Sequence, residues 1–291
     1  MSIHGLSRHT SMHRRRTNDM NGRSLLAVFA HPDDESLASG GLLARCAEFG
    51  AQVFILCITH GEHGPGSTSR EMSFGSRELR ETRAQELQAA ARVLGVASVT
   101  LLNYEDGMLP WVNTEALEAD ILNVVRQVRP DVVVTFDEDG LYWHPDHIAV
   151  HERTTATVAT LHDTDDAPAL YYVTVPAGRM RAVVSYAATK VAQRCATHQP
   201  PHRILGVVDA DAFGVFAPPP TLVVSAGSLA TRKLAAIKCH LTQLDDSALT
   251  LVEECDAERL LGIEYYRRSE VGSRGDAFIE RFASHGKNTA S

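Results

Sequence analysis

The stretch LLAVFAHPDDESLASGG, residues 25–41, sets the frame for the whole chain. Its six leading apolar residues, 25–30, read as a strand buried on both faces. His31, Pro32, Asp33, Asp34 and Glu35 follow at once, and then a helical stripe of Leu42, Leu43, Cys46 and Phe49 that stops at Gly50. One carboxylate would be enough to cap that helix. An imidazole and three carboxylates within five positions are costly unless something positive binds there.

The alternation continues outward. Strands are predicted over 52–59, 98–102, 131–136 and 169–175, with helices over 77–95, 116–128 and from the second His-Pro-Asp to about 161. This order predicts an α/β fold, Rossmann-like, with a mainly parallel sheet covered by helices on both faces. Beyond Pro176 the pattern reads as strands at RILGVVDA (203–210) and TLVVSAG (221–227), and as helices at ATRKLAAIKCHLTQL (230–244) and DAERLLGIEYYRRS (256–269). Nothing reads as an interdomain linker, so residues 24–291 are expected to form one domain. Residues 1–23 hold five arginines against one aspartate and read as a basic, disordered extension. The Gly- and Ser-rich loop 60–76 is long enough to be a lid or recognition loop.

Charge and composition exclude several partners. The net charge is −8 although the extension is basic, so the body is more acidic still, which argues against nucleic acid. No apolar run approaches the roughly 20 residues that span a bilayer. The five cysteines are scattered without C-x-x-C spacing, and no apolar secretion signal precedes the first strand; reduced thiols in the cytoplasm are expected. Self-association is left open.

Ligands of open α/β sheets sit beyond the carboxyl ends of the strands. AHPDDE ends the first strand and WHPDH follows the fourth, so the fold brings two His-Pro-Asp clusters together. A dinucleotide reading fails, because no G-x-G-x-x-G follows the first strand. His31 and Asp34, three apart at a helix entrance, can converge on one divalent ion, with His147 as third ligand and an open position for water. That set suits Zn2+, and Fe2+ or another divalent metal equally by ligand type. Asp33 favours hydrolysis: beside such an ion a carboxylate takes a proton from water, which an oxygenase does not need.

Taken together, AHPDDE (30–35), THGEHG (59–64), RAQELQAAARVLGV (83–96), EDGML (105–109), HPDH (144–147) and KLAAIKCHLTQ (233–243) resemble the LmbE-like family of zinc-dependent N-deacetylases, also called the N-acetylglucosaminyl-phosphatidylinositol de-N-acetylase (PIG-L) family. The resemblance implies that His31, Asp34 and His147 bind zinc and that Asp33 is the general base. It implies that His144, oriented by Asp146, is the acid or electrophilic partner; independently, the charge of Asp146 two residues on is expected to keep that imidazole protonated. Arg83, with Arg80 as competitor, and Tyr142 would contact substrate. His240 and Gln243 would line the site or serve the core. The chain departs from the family pattern at Trp143 and over 177–230. The implied reaction removes the N-acetyl group from a small glucosamine-containing molecule. The alternatives are an S-conjugate amidase of a glucosaminyl-inositol thiol and a non-catalytic sugar- or metal-binding protein on the same fold.

Overall fold

The computed structural model describes residues 20–64, 76–162, 164, 166–194, 200–215 and 217–283. The predicted extension up to residue 19 and most of the long loop, 65–75, lie outside the described residues. Met20 was expected in the extension but packs on the body: it is buried and its N–H donates to Phe49 O at 2.8 Å.

Five strands form the parallel part of the sheet: β1 (Ser24–Phe29), β2 (Gln52–Thr59), β3 (Ser98–Tyr104), β4 (Val132–Phe136) and β5 (Ala169–Thr174). Helices α1 (Asp34–Glu48), α2 (Ser76–Leu94) and α3 (Thr114–Val128) connect the first four. A kinked single turn, α4 (Gly140–Trp143), and α5 (Pro145–Ala159) lead from β4 to β5. These elements match the expected alternation because β1, β4 and β5 are buried on both faces, as their uninterrupted apolar runs require.

The C-terminal third departs from expectation. A helix absent from the sequence reading, α6 (Arg179–Gln193), precedes β6 (Leu222–Ser225), α7 (Ala230–Ile237), α8 (Glu254–Leu261) and β7 (Ile263–Gly272). The helix expected over 256–269 ends at Leu261, and IEYYRRSEVG is a strand. Its buried Glu264 and Tyr266 sit two apart, the period of a pleated sheet. The strand expected over 203–210 is a tight turn instead, in which Ile204 and Val207 exchange main-chain hydrogen bonds of 2.9 Å. The predicted helix over 230–244 breaks at Ile237 and resumes as a 3-10 turn, Leu241–Gln243.

The sheet order is β3-β2-β1-β4-β5-β7-β6, with β7 antiparallel to both neighbours. From β1 the chain moves outward to β2 and β3, then crosses back to β4 on the other side of β1. The loops leaving β1 and β4 therefore diverge, and the crevice between them is the topological switch point where such sheets bind ligands. Both His-Pro-Asp clusters open into it. Among the described residues no helix is long and apolar enough to cross a membrane, and Cys46, Cys57, Cys239 and Cys255 are free thiols.

Candidate metal centre and its cleft

His31 leaves β1 buried, and its two ring nitrogens face different partners. Nδ1 lies 3.2 Å from His147 Nε2 and 3.4 Å from Asp34 Oδ2, while His147 Nε2 lies 3.3 Å from Asp34 Oδ1. Three donors about 2.0–2.2 Å from one tetrahedral ion would stand about 3.3–3.5 Å apart. In this triangle the two imidazoles and the Asp34 carboxylate, which meets them through different oxygens, therefore stand at the spacing that one small divalent cation demands, and His144 lies close enough to His31 and His147 to form a second such group with them. Two imidazoles and a carboxylate also fit zinc or ferrous iron by ligand type.

Each ligand candidate is held from behind. His147, wholly buried at the start of α5, has Nδ1 3.0 Å from Gly140 O and stacks on Phe136 at 3.9 Å between centroids, which leaves Nε2 facing the triangle. His31 Nε2 lies 3.0 Å from Asp106 Oδ1 and 3.1 Å from Asp146 Oδ2. Those two carboxylates and His31 also lie close enough to hold an ion of their own. Both also accept from the chain: Asp146 from the N–H groups of Gly107 and Leu109, and Asp106 from that of His63. This is the carboxylate–histidine support typical of a metal-binding imidazole. Burial opposes a charge on His31, but Asp106, Asp146 and Asp34 prevail and raise its pKa well above the ordinary value.

The structure corrects the predicted use of Asp146. Its carboxylate faces His31, not His144. His144 is oriented by Asp146 all the same, but through the main chain: the Asp146 N–H donates to His144 Nδ1 at 3.2 Å, an N-cap on α5. Nor is His144 kept protonated. Burial, with His147 and His31 close by, pushes its pKa down to about 4. With Nδ1 accepting, the proton of the neutral ring sits on Nε2.

Asp33 pairs with Arg83 (Oδ2 to Nη2, 3.2 Å) and makes no side-chain capping bond to α1. Burial outweighs the guanidinium and, with Asp34 adjacent, raises its pKa to about 7. Arg83, only 3% exposed, also donates to Gly61 O at 2.7 Å and to Pro32 O, and its buried Nε has no partner. Gly61 is required here: its φ is +65°, and a Cβ would lie 2.3 Å from Arg83 Nη1. The competing Arg80 turns outward to Glu62 and Asn103.

His31, Asp33, Asp34, Arg83, Asp106 and His144 line a cleft of about 370 Å³, within the usual range for a small-molecule site. Tyr142 is one wall, its ring 5.2 Å from that of His147, and burial holds its phenol protonated well above the ordinary pKa. Ile204, Leu205, Gly206 and Val207 contribute an apolar wall, and Gln243 reaches in from the C-terminal segment. His240 does not line the cleft. It is fully buried, with Nε2 2.8 Å from Glu35 Oε1, so the expected substrate contact is corrected to a contact beneath the loop at 31–35. Sequence reasoning also passed over Asp106, Glu35 and the wall at 204–207. Asp106 had a usable signal, an acidic turn closely following β3 at the same sheet edge, and Glu35 stood within the charged cluster at 31–35 itself.

Comparison with known proteins gives three findings. The family model for GlcNAc-PI de-N-acetylase (PIG-L) matches residues 26–158. The 1D-myo-inositol 2-acetamido-2-deoxy-alpha-D-glucopyranoside deacetylase of Geodermatophilus obscurus is 34% identical over 287 residues, covering 88% of this chain and 94% of that protein; its counterpart in Acidothermus cellulolyticus is 32% identical over 266, covering 84% and 88%. Among solved structures, N,N'-diacetylchitobiose deacetylase of Pyrococcus horikoshii has a TM-score of 0.59 at 22% identity, covering 85% of this chain and 84% of that one. A 4-carboxy-2-hydroxymuconate hydratase of Pseudomonas putida scores 0.60 at 18%, covering 87% and 99%. One fold thus hosts two chemistries, and the structural likeness shows the fold alone.

Proposed function

The chain belongs to the GlcNAc-PI de-N-acetylase family, and from that premise we propose that it is a metal-dependent hydrolase that removes the N-acetyl group from a small glucosamine-containing molecule. The observation that carries the reading is the triangle of His31, Asp34 and His147 with a carboxylate of raised pKa, Asp33, beside it. A divalent ion, with zinc as the first candidate, would be held by those three residues and would supply Lewis acidity toward the amide carbonyl and water.

The remaining roles fall to the protein. Asp33 takes a proton from the attacking water; a base with a pKa near 7 suits that transfer at neutral pH. His144 presents its neutral Nε2–H to the carbonyl oxygen as negative charge develops, so it needs no protonation to act. Collapse breaks the C–N bond, and the proton held by Asp33 passes to the departing amine, leaving acetate and a free amino sugar. The guanidinium of Arg83 fixes Asp33, and Tyr142 offers a phenol to substrate. The named relatives are deacetylases, which leaves the amidase alternative without support. A non-catalytic protein would not need Asp33 held as a base, and this chain keeps it.

The test is metal analysis followed by acetate release from a panel of N-acetylglucosaminides. About one divalent ion per chain and acetate from at least one acceptor are expected. His31→Ala, Asp34→Ala and His147→Ala should each lose the ion with the fold intact. Full metal content in one of these variants would remove that residue from the ligand set, and no acetate from any acceptor would sink the deacetylase reading.

A further inference from the structure

Asp33 sits at φ 125°, ψ −28°, a conformation L-residues rarely adopt. Turning over the single peptide between Pro32 and Asp33 would change that φ by about half a turn, to near −55°, which with the same ψ is ordinary helix. Left to itself, then, α1 would begin one residue earlier with Asp33 unstrained.

Both ends of that peptide are held. Its carbonyl, Pro32 O, accepts from Arg83. Its N–H, on Asp33, donates to Glu35 Oε2 at 3.1 Å. Glu35 is 1% exposed, and its other oxygen accepts from Ser36 Oγ at 2.6 Å and from His240 Nε2 at 2.8 Å. His240 is fully buried, 205 residues further along the chain, and its Nδ1 has no partner.

We propose that Glu35 and His240 are positioning residues for the reaction: His240 fixes Glu35, and Glu35 holds the Pro32–Asp33 peptide in the strained orientation that keeps Pro32 O, Arg83 and the Asp33 carboxylate in register. Arg83 pulls on one side of the peptide plane and Glu35 on the other. Release of the Glu35 side lets the plane turn, withdraws the carbonyl from Arg83 and loosens the guanidinium that fixes the base. A displacement of about 1 Å at a reacting group can cost about a hundredfold in rate. For its kinetic readout this inference rests on the deacetylase reading; its structural readout does not.

The experiment uses the metal-loaded full chain. Glu35→Ala is expected to lower kcat about tenfold to a hundredfold, with KM within about threefold and metal content unchanged. Glu35→Gln should recover most of the loss. Its amide oxygen can take the Asp33 N–H while its NH₂ donates to His240 Nε2, the imidazole proton moving to the unpartnered Nδ1. A merely structural glutamate has no reason to be rescued in this way. His240→Leu tests the same link should Glu35→Ala not fold, and it should reproduce the kcat loss. A crystal structure of either variant should show Asp33 at helical φ with Pro32 O turned from Arg83. Wild-type kcat in both variants, or φ still near 125° with the Arg83 contact intact, overturns the proposal. Should the panel give no acetate from any acceptor, the structural readout still decides it.

Discussion

Asp33 is asked to be buried, charged and strained at once, and each demand has a measurable cost. A carboxyl whose folded-state pKa is raised favours the fold while protonated; that stability is full below the unfolded value near 4 and is lost as pH rises through about 7. In metal-free protein Asp33→Asn should therefore raise the melting temperature above pH 7, with the gain fading as pH falls toward 4. The same variant, loaded with metal, should lose about a hundredfold to ten-thousandfold in kcat. A near wild-type kcat in that variant would mean that Asp33 is not the base. His144 makes the companion case. Its neutral Nε2–H predicts that His144→Ala keeps its metal but loses about a hundredfold or more, and that His144→Gln, which retains an N–H donor, keeps part of the rate. An alkaline limb unchanged in His144→Ala follows from a pKa near 4, since the ring is neutral throughout that range. At this scale the sequence revealed residue types well and their partners poorly. Asp146 two positions from His144 looked like its counterion, yet N-terminal helix geometry points the main-chain N–H at His144 and sends the carboxylate to His31.

At the scale of elements, the parallel half was legible because buried strands and one-sided helices leave opposite periodicities. The antiparallel half was not. β7 is half-exposed and mixes arginines with tyrosines, so DAERLLGIEYYRRS reads as a continuing helix until Glu264 finds its partners in α1 and α7: it accepts from Gly41 and Leu42 and pairs with Lys233 at 2.7 Å. No local pattern announces a partner more than 200 residues away. The turn at 203–207 was misread for a related reason, because its apolar residues face a cleft. Leu205 stands at φ 49°, and Ser247, fully buried, accepts its N–H at 3.1 Å while Ala248 N–H donates to Arg203 O at 2.8 Å. Ser247→Ala removes that acceptor and should cost about 1–3 kcal/mol of stability. Because the turn lines the cleft without touching the metal triangle, KM should rise several-fold with kcat within about twofold. An equal fall in kcat would place this wall within the catalytic geometry.

For the whole molecule, the candidate metal site is a store of opposed charges whose balance depends on pH. His31 and Asp33 have raised pKa values, so their contributions fade as pH rises through those values. Asp34, Glu35 and Asp106 have lowered ones, so their contributions are present above about 4 and fade as pH falls. Metal-free protein should therefore be most stable in a mildly acidic window and lose stability toward pH 8 and above. A divalent ion reverses the alkaline loss, because it takes the place of the proton on His31 and offsets the charge on Asp33 and Asp34. Binding should release about one proton per ion near neutral pH, read as a dependence of the calorimetric heat on the ionisation enthalpy of the buffer. Affinity should tighten by up to about tenfold per pH unit until His31 is deprotonated in the free protein. The gap in melting temperature between metal-loaded and metal-free protein should widen over the same range, since ligand at a hundred times its Kd adds about 2.7 kcal/mol. Heat independent of buffer, together with a gap that does not change with pH, would mean that His31 binds no proton in the free protein and that the carboxylates behind it act only as props.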